Sequence, residues 1–453
     1  MNLIEQRSAR RARGRSTTTG TARLGWLDAL RALAALTVAV YHLALPFVWI
    51  PGGVTLIKHL DPGIFGVMLF FLVSGYIVPA SLERRGDVRA FWVGRLFRIH
   101  PLVIVVLVVS LLVLPRAHSV VGDYTYAHPL LSLPVNALLL NHFVGIPSAM
   151  GVMWTLCYEM VFYCLVSALF AFGKHRHSGP IAVGFAAAAL VLGGGFTTGL
   201  FGSDHTSVRN LVLAVSVIGA MGLLCVLSGS PALNRTGAAL LAVLGLGVVL
   251  NNAGAAVFET MMIFATMFAG TVLYRVQHGQ IDRMQAALCC GFVVVAGFLV
   301  GYMYDHGAAL HQTWTAGWHA WSFAYLAVWA VFGAAMLLRN RRFPRVLTWL
   351  GAISFSIYLI HIPVVNAMHW LLTGVRPAAT VPEKVAQVAV FLAVLFLLSH
   401  LAYRLVEVPG QKLGRIVLRL LTGRSPAAPT PPAASGPRLE EGEAAVPAPV
   451  LSA

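Results

Sequence analysis

Apolar runs of about one bilayer's length follow one another along most of the chain, and short segments between them carry the charge. The first runs from Leu27 to Trp49, long enough to cross a membrane as a helix at roughly 20 residues per crossing. Others follow near 63–82, 91–115, 152–173, 180–201, 208–228, 234–251, 256–276, 284–304, 317–338, 346–371 and 385–407. Between 115 and 151 the pattern lapses into a polar stretch with four prolines and an apolar patch near 130–144, which reads as an external, partly re-entrant segment. The pattern predicts an all-α polytopic membrane protein of about 12 crossings, or ten if the two weaker runs between 180 and 276 are miscounted.

The charges between the runs give an orientation. Six arginines stand among residues 1–24, Arg84, Arg85 and Arg89 follow the second run, and Lys174 and Arg176 follow the fourth. Arg275 and Arg283, the cluster Arg339, Arg341, Arg342 and Arg345, and finally Arg404, Lys412, Arg415 and Arg419 continue the series. The alternate loops hold few bases. Positive charge favours the cytoplasmic side of short loops, so both termini are expected in the cytoplasm of a multi-pass protein of the cytoplasmic (inner) membrane. Residues 1–24 are expected to form a disordered arm, 25–420 the transmembrane unit, and 421–453, rich in Pro and Ala, a disordered tail. With no soluble catalytic domain expected, any chemistry falls to the membrane part. Arg10-Arg11 suggests a twin-arginine export signal, but the apolar run after it is too long and contains Arg31, so it reads as a retained helix.

Composition agrees. Of 453 residues, 58% are hydrophobic and 11% charged, and the mean hydropathy is +0.79, far too few charges for the surface of a soluble protein of that size. The net charge of +16 is spread over the loops instead of being massed on one domain, which argues against a nucleic-acid partner. The five cysteines, Cys157, Cys164, Cys225, Cys289 and Cys290, all lie in apolar runs with neither a disulfide framework nor zinc spacing.

Against that background a few polar groups inside the runs stand out, because hydrocarbon tolerates them poorly. Arg31 and His42 are separated by ten residues. Eleven helical steps make nearly three turns, so both project from one face, about 16 Å apart along the axis. With the expected orientation, His42, Glu159 and His361 fall at one level in the outer part of the membrane, while Arg31, Arg95, Arg98 and Glu407 gather near the cytoplasmic level. Ser74 and Tyr76 lie between. The outer set suits proton transfer: a neutral imidazole takes a proton from a hydroxyl, and a carboxylate orients the ring and stabilises the imidazolium. The inner set suits an anion, since Arg95 and Arg98 at i and i+3 share a helix face and fit bidentate contacts to phosphate. Each residue also has a plainer reading: Arg31 snorkelling to headgroups, Arg95 and Arg98 as topology anchors, Glu159 as a structural ion-pair partner, His42 and His361 as core histidines. His118 and Asp123 match the spacing of some soluble acyltransferases but fall in a loop on the wrong side for a cytoplasmic donor. The pairs His311/His319 and His361/His369 lack a third ligand, so no metal is expected.

Six segments, in order across about residues 24–418, resemble the acyltransferase-3 family of integral membrane O-acyltransferases: LDALRALAALTVAVYH, FFLVSGYIV, FWVGRLFRIHP, MWTLCYEMVFY, LGAISFSIYLIHIP and YRLVEVPGQKLGR. The resemblance implies transfer of an acyl group, commonly acetyl, from cytoplasmic acyl-CoA to a hydroxyl of a carbohydrate or lipid-linked sugar. It places functional roles on Arg31, His42, Arg95, Arg98 and Glu159. A mechanism built on these residues rests the CoA phosphates on the arginines, extends the pantetheine arm toward His42 and has Glu159 set that ring's tautomer, with direct transfer and a covalent acyl-histidine both open. The segment 180–340 matches only in apolar character, so the acceptor stays undefined. A proton-coupled secondary transporter for an anionic or glycan-type solute uses the same residue types, although no internal repeat of the kind such proteins show is visible.

Overall fold

The computed structural model describes residues 25–43, 53–194, 199–306, 315, 317–372 and 380–423. The basic arm before Gly25, residues 44–49 of the first apolar run, His311 and the tail after Gly423 lie outside the described residues. Among those described, the chain is helical throughout and forms no strand, its only bridge being an isolated pair between Val121 and Met150.

The main helices are α1 (Gly25–Leu43), α2 (Pro62–Arg85), α3 (Val88–Val113), α4 (Trp154–Ala171), α5 (Ser178–Leu192), α6 (His205–Leu227) and α7 (Pro231–Asn251). They are followed by α8 (Val257–Gln277), α9 (Arg283–Tyr304), α10 (Trp318–Leu337), α11 (Arg345–Ala352), α12 (Ser354–Leu371), α13 (Val381–Ala402) and α14 (Val408–Thr422). Ten stretches are long and apolar enough to cross a bilayer, or eleven when the bent pair α11–α12 counts as one. The expected polytopic all-α architecture is borne out.

Three details differ from the hydropathy pattern. The run at 180–201 yields only the 15-residue α5, about 22 Å of helix and short for a crossing. The run at 346–371 is broken at Ile353 and bent by 69°. The last run continues past residue 407 through a one-turn π-helix at Tyr403–Glu407 into α14, giving 42 helical residues in all.

The centre of the bundle is α2, α4 and α8; α4 and α8 are 89% buried along their apolar windows, against 17% for α13–α14. The inner helices touch through glycine. A Cβ on Gly75 of α2 would lie 1.9 Å from the carbonyl oxygen of Met267, and one on Gly270 of α8 would lie 2.4 Å from that of Leu72. Such backbone-to-backbone approach is open only to residues without a side chain. Gly66 gives α2 the same intimacy with α1, where a Cβ would meet Val38 at 2.7 Å and the Ala34 carbonyl at 2.9 Å. Asp61 starts α2 by capping the amides of Gly63 and Ile64 at 2.7 and 3.0 Å, as Asp before Pro commonly does. Gly86, left-handed at φ 66°, ends α2, and Asp87 caps α3 at once. That tight turn sets the arginine-bearing start of α3 beside the end of α2.

Two further ties hold the bundle. Arg275, at the end of α8, is buried and pairs with Glu83 of α2 while also donating to the His175 carbonyl at 2.7 Å. The stretch 115–150 folds as short helical turns held by asparagines: Asn136 accepts from the Ala149 amide at 2.8 Å, and Asn141 donates to Ser148 at 3.0 Å.

Candidate active site

α1 carries both ends of the site. Arg31 stands in its second turn and His42 in its last, on one face, as the ten-residue spacing dictates. Ala34, Ala35 and Val38 fill the same face between them. These three, with Gly66, Val67 and Phe70 of α2, Thr155 of α4 and Tyr358 of α12, line a slot of about 10 Å³, room for about one water molecule. Its walls are small or aromatic. Tyr358 is fixed by hydrogen bonds with Thr155 at 2.7 Å and to the Val152 carbonyl at 3.0 Å. Phe70 stacks on it at 6.1 Å between ring centroids. The face of α1 between Arg31 and His42 thus carries a narrow apolar slot and not an open channel among the described residues.

In the last turn of α1 His42 is exposed. Its Nδ1 lies 2.9 Å from the Val38 carbonyl. A carbonyl can only accept, so Nδ1 carries the proton and Nε2 keeps its lone pair. The His361 ring lies 5.0 Å away, fully buried. The carboxylate acting on His42 is Asp61, which also receives the Tyr41 hydroxyl at 3.4 Å. Asp61 was not singled out from the sequence, although Asp-Pro-Gly ahead of an apolar run is a recognisable helix start.

Glu159 acts on Tyr358, whose ring lies 5.8 Å from that of His361. It accepts from Ser74 at 3.4 Å, neighbours Tyr163 and acts on Arg31. The tautomer of His42 is set instead by its own helix. A buried carboxylate with two hydroxyls and a guanidinium within reach is held by those partners.

The arginine layer gathers several chains of contact. Arg95 is buried, donates to Ser81 at 2.7 Å and lies 5.1 and 5.0 Å from the ring centroids of Phe91 and Tyr163. Arg98 and Arg31 are half-buried and feel each other and Glu407, which receives the Ser356 hydroxyl. Arg85 borders both Arg95 and Arg98. Five guanidinium groups, Arg31, Arg84, Arg85, Arg95 and Arg98, thus meet four carboxylates, Asp28, Asp87, Glu159 and Glu407. Like charges brought this close repel, and an added polyanion relieves them. Tyr76 stands apart from both layers: its hydroxyl donates to Gln277 at 2.7 Å, and its ring packs on Trp26, Tyr274 and Phe332. No group of three or more potential metal ligands occurs among the described residues.

A family profile described as an acyltransferase domain matches residues 24–404. The chain belongs to the acyltransferase-3 family. All the candidate residues except Glu407 lie within the matched span. Peptidoglycan O-acetyltransferase OatA of Listeria monocytogenes is 24% identical over 413 residues, 86% of this chain and 56% of that protein. An O-acetyltransferase-titled protein of Staphylococcus aureus (strain COL) is 28% identical over 216 residues, 42% of this chain and 33% of its own. O-acetyltransferase OatA of Staphylococcus aureus (strain NCTC 8325 / PS 47) is 27% identical over 165 residues, 33% of this chain and 25% of its own. The chain therefore spans between a quarter and just over half of these relatives. No solved structure matches.

Proposed function

We propose that this family member is a membrane O-acyltransferase that moves an acyl group, of the acetyl class, from acyl-CoA to a hydroxyl of a carbohydrate or lipid-linked glycan. Residues 25–420 form the catalytic unit in a cytoplasmic membrane, with both termini and the arginine layer on the cytoplasmic side. One observation carries the reading: Arg31 and His42 stand at opposite ends of a single helix face, with a slot along that face between them. The acetyltransferase names of the relatives and the family's acyl chemistry support it.

Acyl-CoA meets Arg95, Arg98 and Arg31, whose excess of charge suits the phosphates of the nucleotide. The pantetheine arm follows the face of α1 and is long enough for the 16 Å or so between the layers. Because the slot holds about one water, entry of the arm requires α1 and α2 to part at Ala34, Val38 and Phe70. At the far end, Nε2 of His42 takes the proton of the acceptor hydroxyl as that oxygen attacks the thioester. Glu159, which accepts from Ser74, balances the charge of the guanidinium groups.

The test uses membranes carrying the full chain, radiolabelled acetyl-CoA and mixed cell-envelope acceptors. His42→Ala is expected to abolish labelling by about 100-fold or more at unchanged protein level. Replacing Arg95 and Arg98 together by Gln is expected to weaken CoA binding by about 10-fold or more. Full labelling by His42→Ala removes the catalytic assignment, and unchanged CoA binding by the double variant removes the donor site.

A further inference from the structure

His361 is shielded completely from solvent, and its ring nitrogens make no hydrogen bond of good geometry among the described residues, the nearest acceptors being the Tyr358 and Ile357 carbonyls of its own helix. An imidazole buried in that way forgoes the partners that water supplied in the unfolded chain, a loss native proteins seldom carry without a use for it. The ring is also well placed. It lies 5.0 Å from the His42 ring and 5.8 Å from that of Tyr358, which walls the slot. The hydroxyls nearby are committed elsewhere: Tyr41 to Asp61, Tyr358 and Thr155 to each other and to the Val152 carbonyl. His42 already has its task, with Nδ1 held by Val38 and Nε2 open. The uncommitted donor beside the reacting position is His361.

We propose that His361 is a second catalytic imidazole, which donates a ring N–H to the thioester carbonyl oxygen and holds the negative charge that collects there. The assignment rests on the acyl-transfer reading above. In the step, the acceptor oxygen bonds to the acyl carbon while its proton passes to Nε2 of His42. The carbonyl π pair moves onto the oxygen that faces His361. As that pair returns, the carbon–sulfur bond breaks, and the CoA sulfur leaves with its electrons and takes the proton back from His42. His361 stays neutral throughout. Its burial helps, since a fixed donor in a water-free site acts on developing charge far more strongly than one in water. The two rings divide the labour by exposure: the open one serves the incoming acceptor, the closed one the donor's oxygen.

The experiment measures acetyl transfer to an envelope glycan extract by the full chain, together with KM for acetyl-CoA and thermal unfolding, for His361→Leu, His361→Gln and His42→Ala. His361→Leu fills the site without a donor; it is expected to unfold at or above the wild-type temperature, keep KM within about 2-fold and lose about 100- to 1000-fold in kcat. His361→Gln retains an N–H and is expected to run about 10-fold faster than the leucine variant. A leucine variant within about 3-fold of wild-type kcat, or a glutamine variant as slow as the leucine one, overturns the proposal. In the first of those cases an inactive His42→Ala leaves the acyl-transfer reading standing. Transfer that survives His42→Ala overturns both.

Discussion

Asp61 shows how one side chain serves both the fold and the site, and its two tasks can be separated. Oδ1 caps α2 through the amides of Gly63 and Ile64, while Oδ2 takes the Tyr41 hydroxyl and the charge acts on His42. Asn caps helices about as well as Asp, and Ala costs about 1 kcal/mol at such a position. Asp61→Asn is therefore expected to unfold at the wild-type temperature but to transfer acetyl about tenfold more slowly, the equivalent of about 1.4 kcal/mol of lost support for the imidazolium. Asp61→Ala should show the same rate loss and a lower unfolding temperature. Wild-type rates in the Asn variant would confine Asp61 to capping. At this scale the sequence was informative where local geometry decides. The placing of Arg31 and His42 on one face of α1 follows from helical spacing alone, and the cap at Asp61 is a local signal too. That Asp61, not Glu159, lies near His42 depends on how α1, α2 and α4 pack, which no count along an apolar run contains.

Between elements, the inner helices hold together by approach of backbone to backbone, and hydropathy is blind to it. Gly75 and Gly270 let α2 and α8 meet where any Cβ would strike a carbonyl at 1.9 or 2.4 Å. Gly184, on α5, has open space where its Cβ would be. Gly75→Val is expected to destabilise the protein by about 3 kcal/mol or more, since main chain cannot yield as a side chain does. Gly184→Ala is expected to stabilise it by about 0.5–1 kcal/mol through helix propensity. Thermal unfolding in detergent reads both, and equal effects of the two substitutions would refute the close contact. The same blindness explains the count of crossings. The run at 346–371 reads as one helix, but at Ile353 the chain bends by 69° and lays Gly351 against the main chain of Asp28, where a Cβ would sit 2.1 Å from the carbonyl oxygen. Apolar residues continue on both sides of that bend, and the contact with α1 reveals it.

In the proposed mechanism the cations and the histidines stand at opposite ends of α1, and transfer depends on passage between them. The slot along α1 lies on the face between Arg31 and His42, and its floor is made by Ala34 and Ala35. A larger side chain at Ala34 should close it without disturbing either end, because Arg31 and His42 lie about one and two turns away along the helix. Ala34→Phe is expected to cost about 1–3 kcal/mol in stability from overpacking. CoA binding, a property of the arginine layer, should stay within about 2-fold of wild type while acetyl transfer falls about 100-fold or more. Leu33 is exposed on the outer side of the same helix, and Leu33→Phe should leave both properties unchanged. Retained CoA binding shows that the Ala34→Phe protein is folded, so loss of transfer alone isolates the passage. If transfer persists with the slot filled, acyl groups reach His42 by another route and the face of α1 is scaffold. If CoA binding and transfer fail together while the protein unfolds normally, the two layers are one packed unit, and the division of the site by depth is wrong.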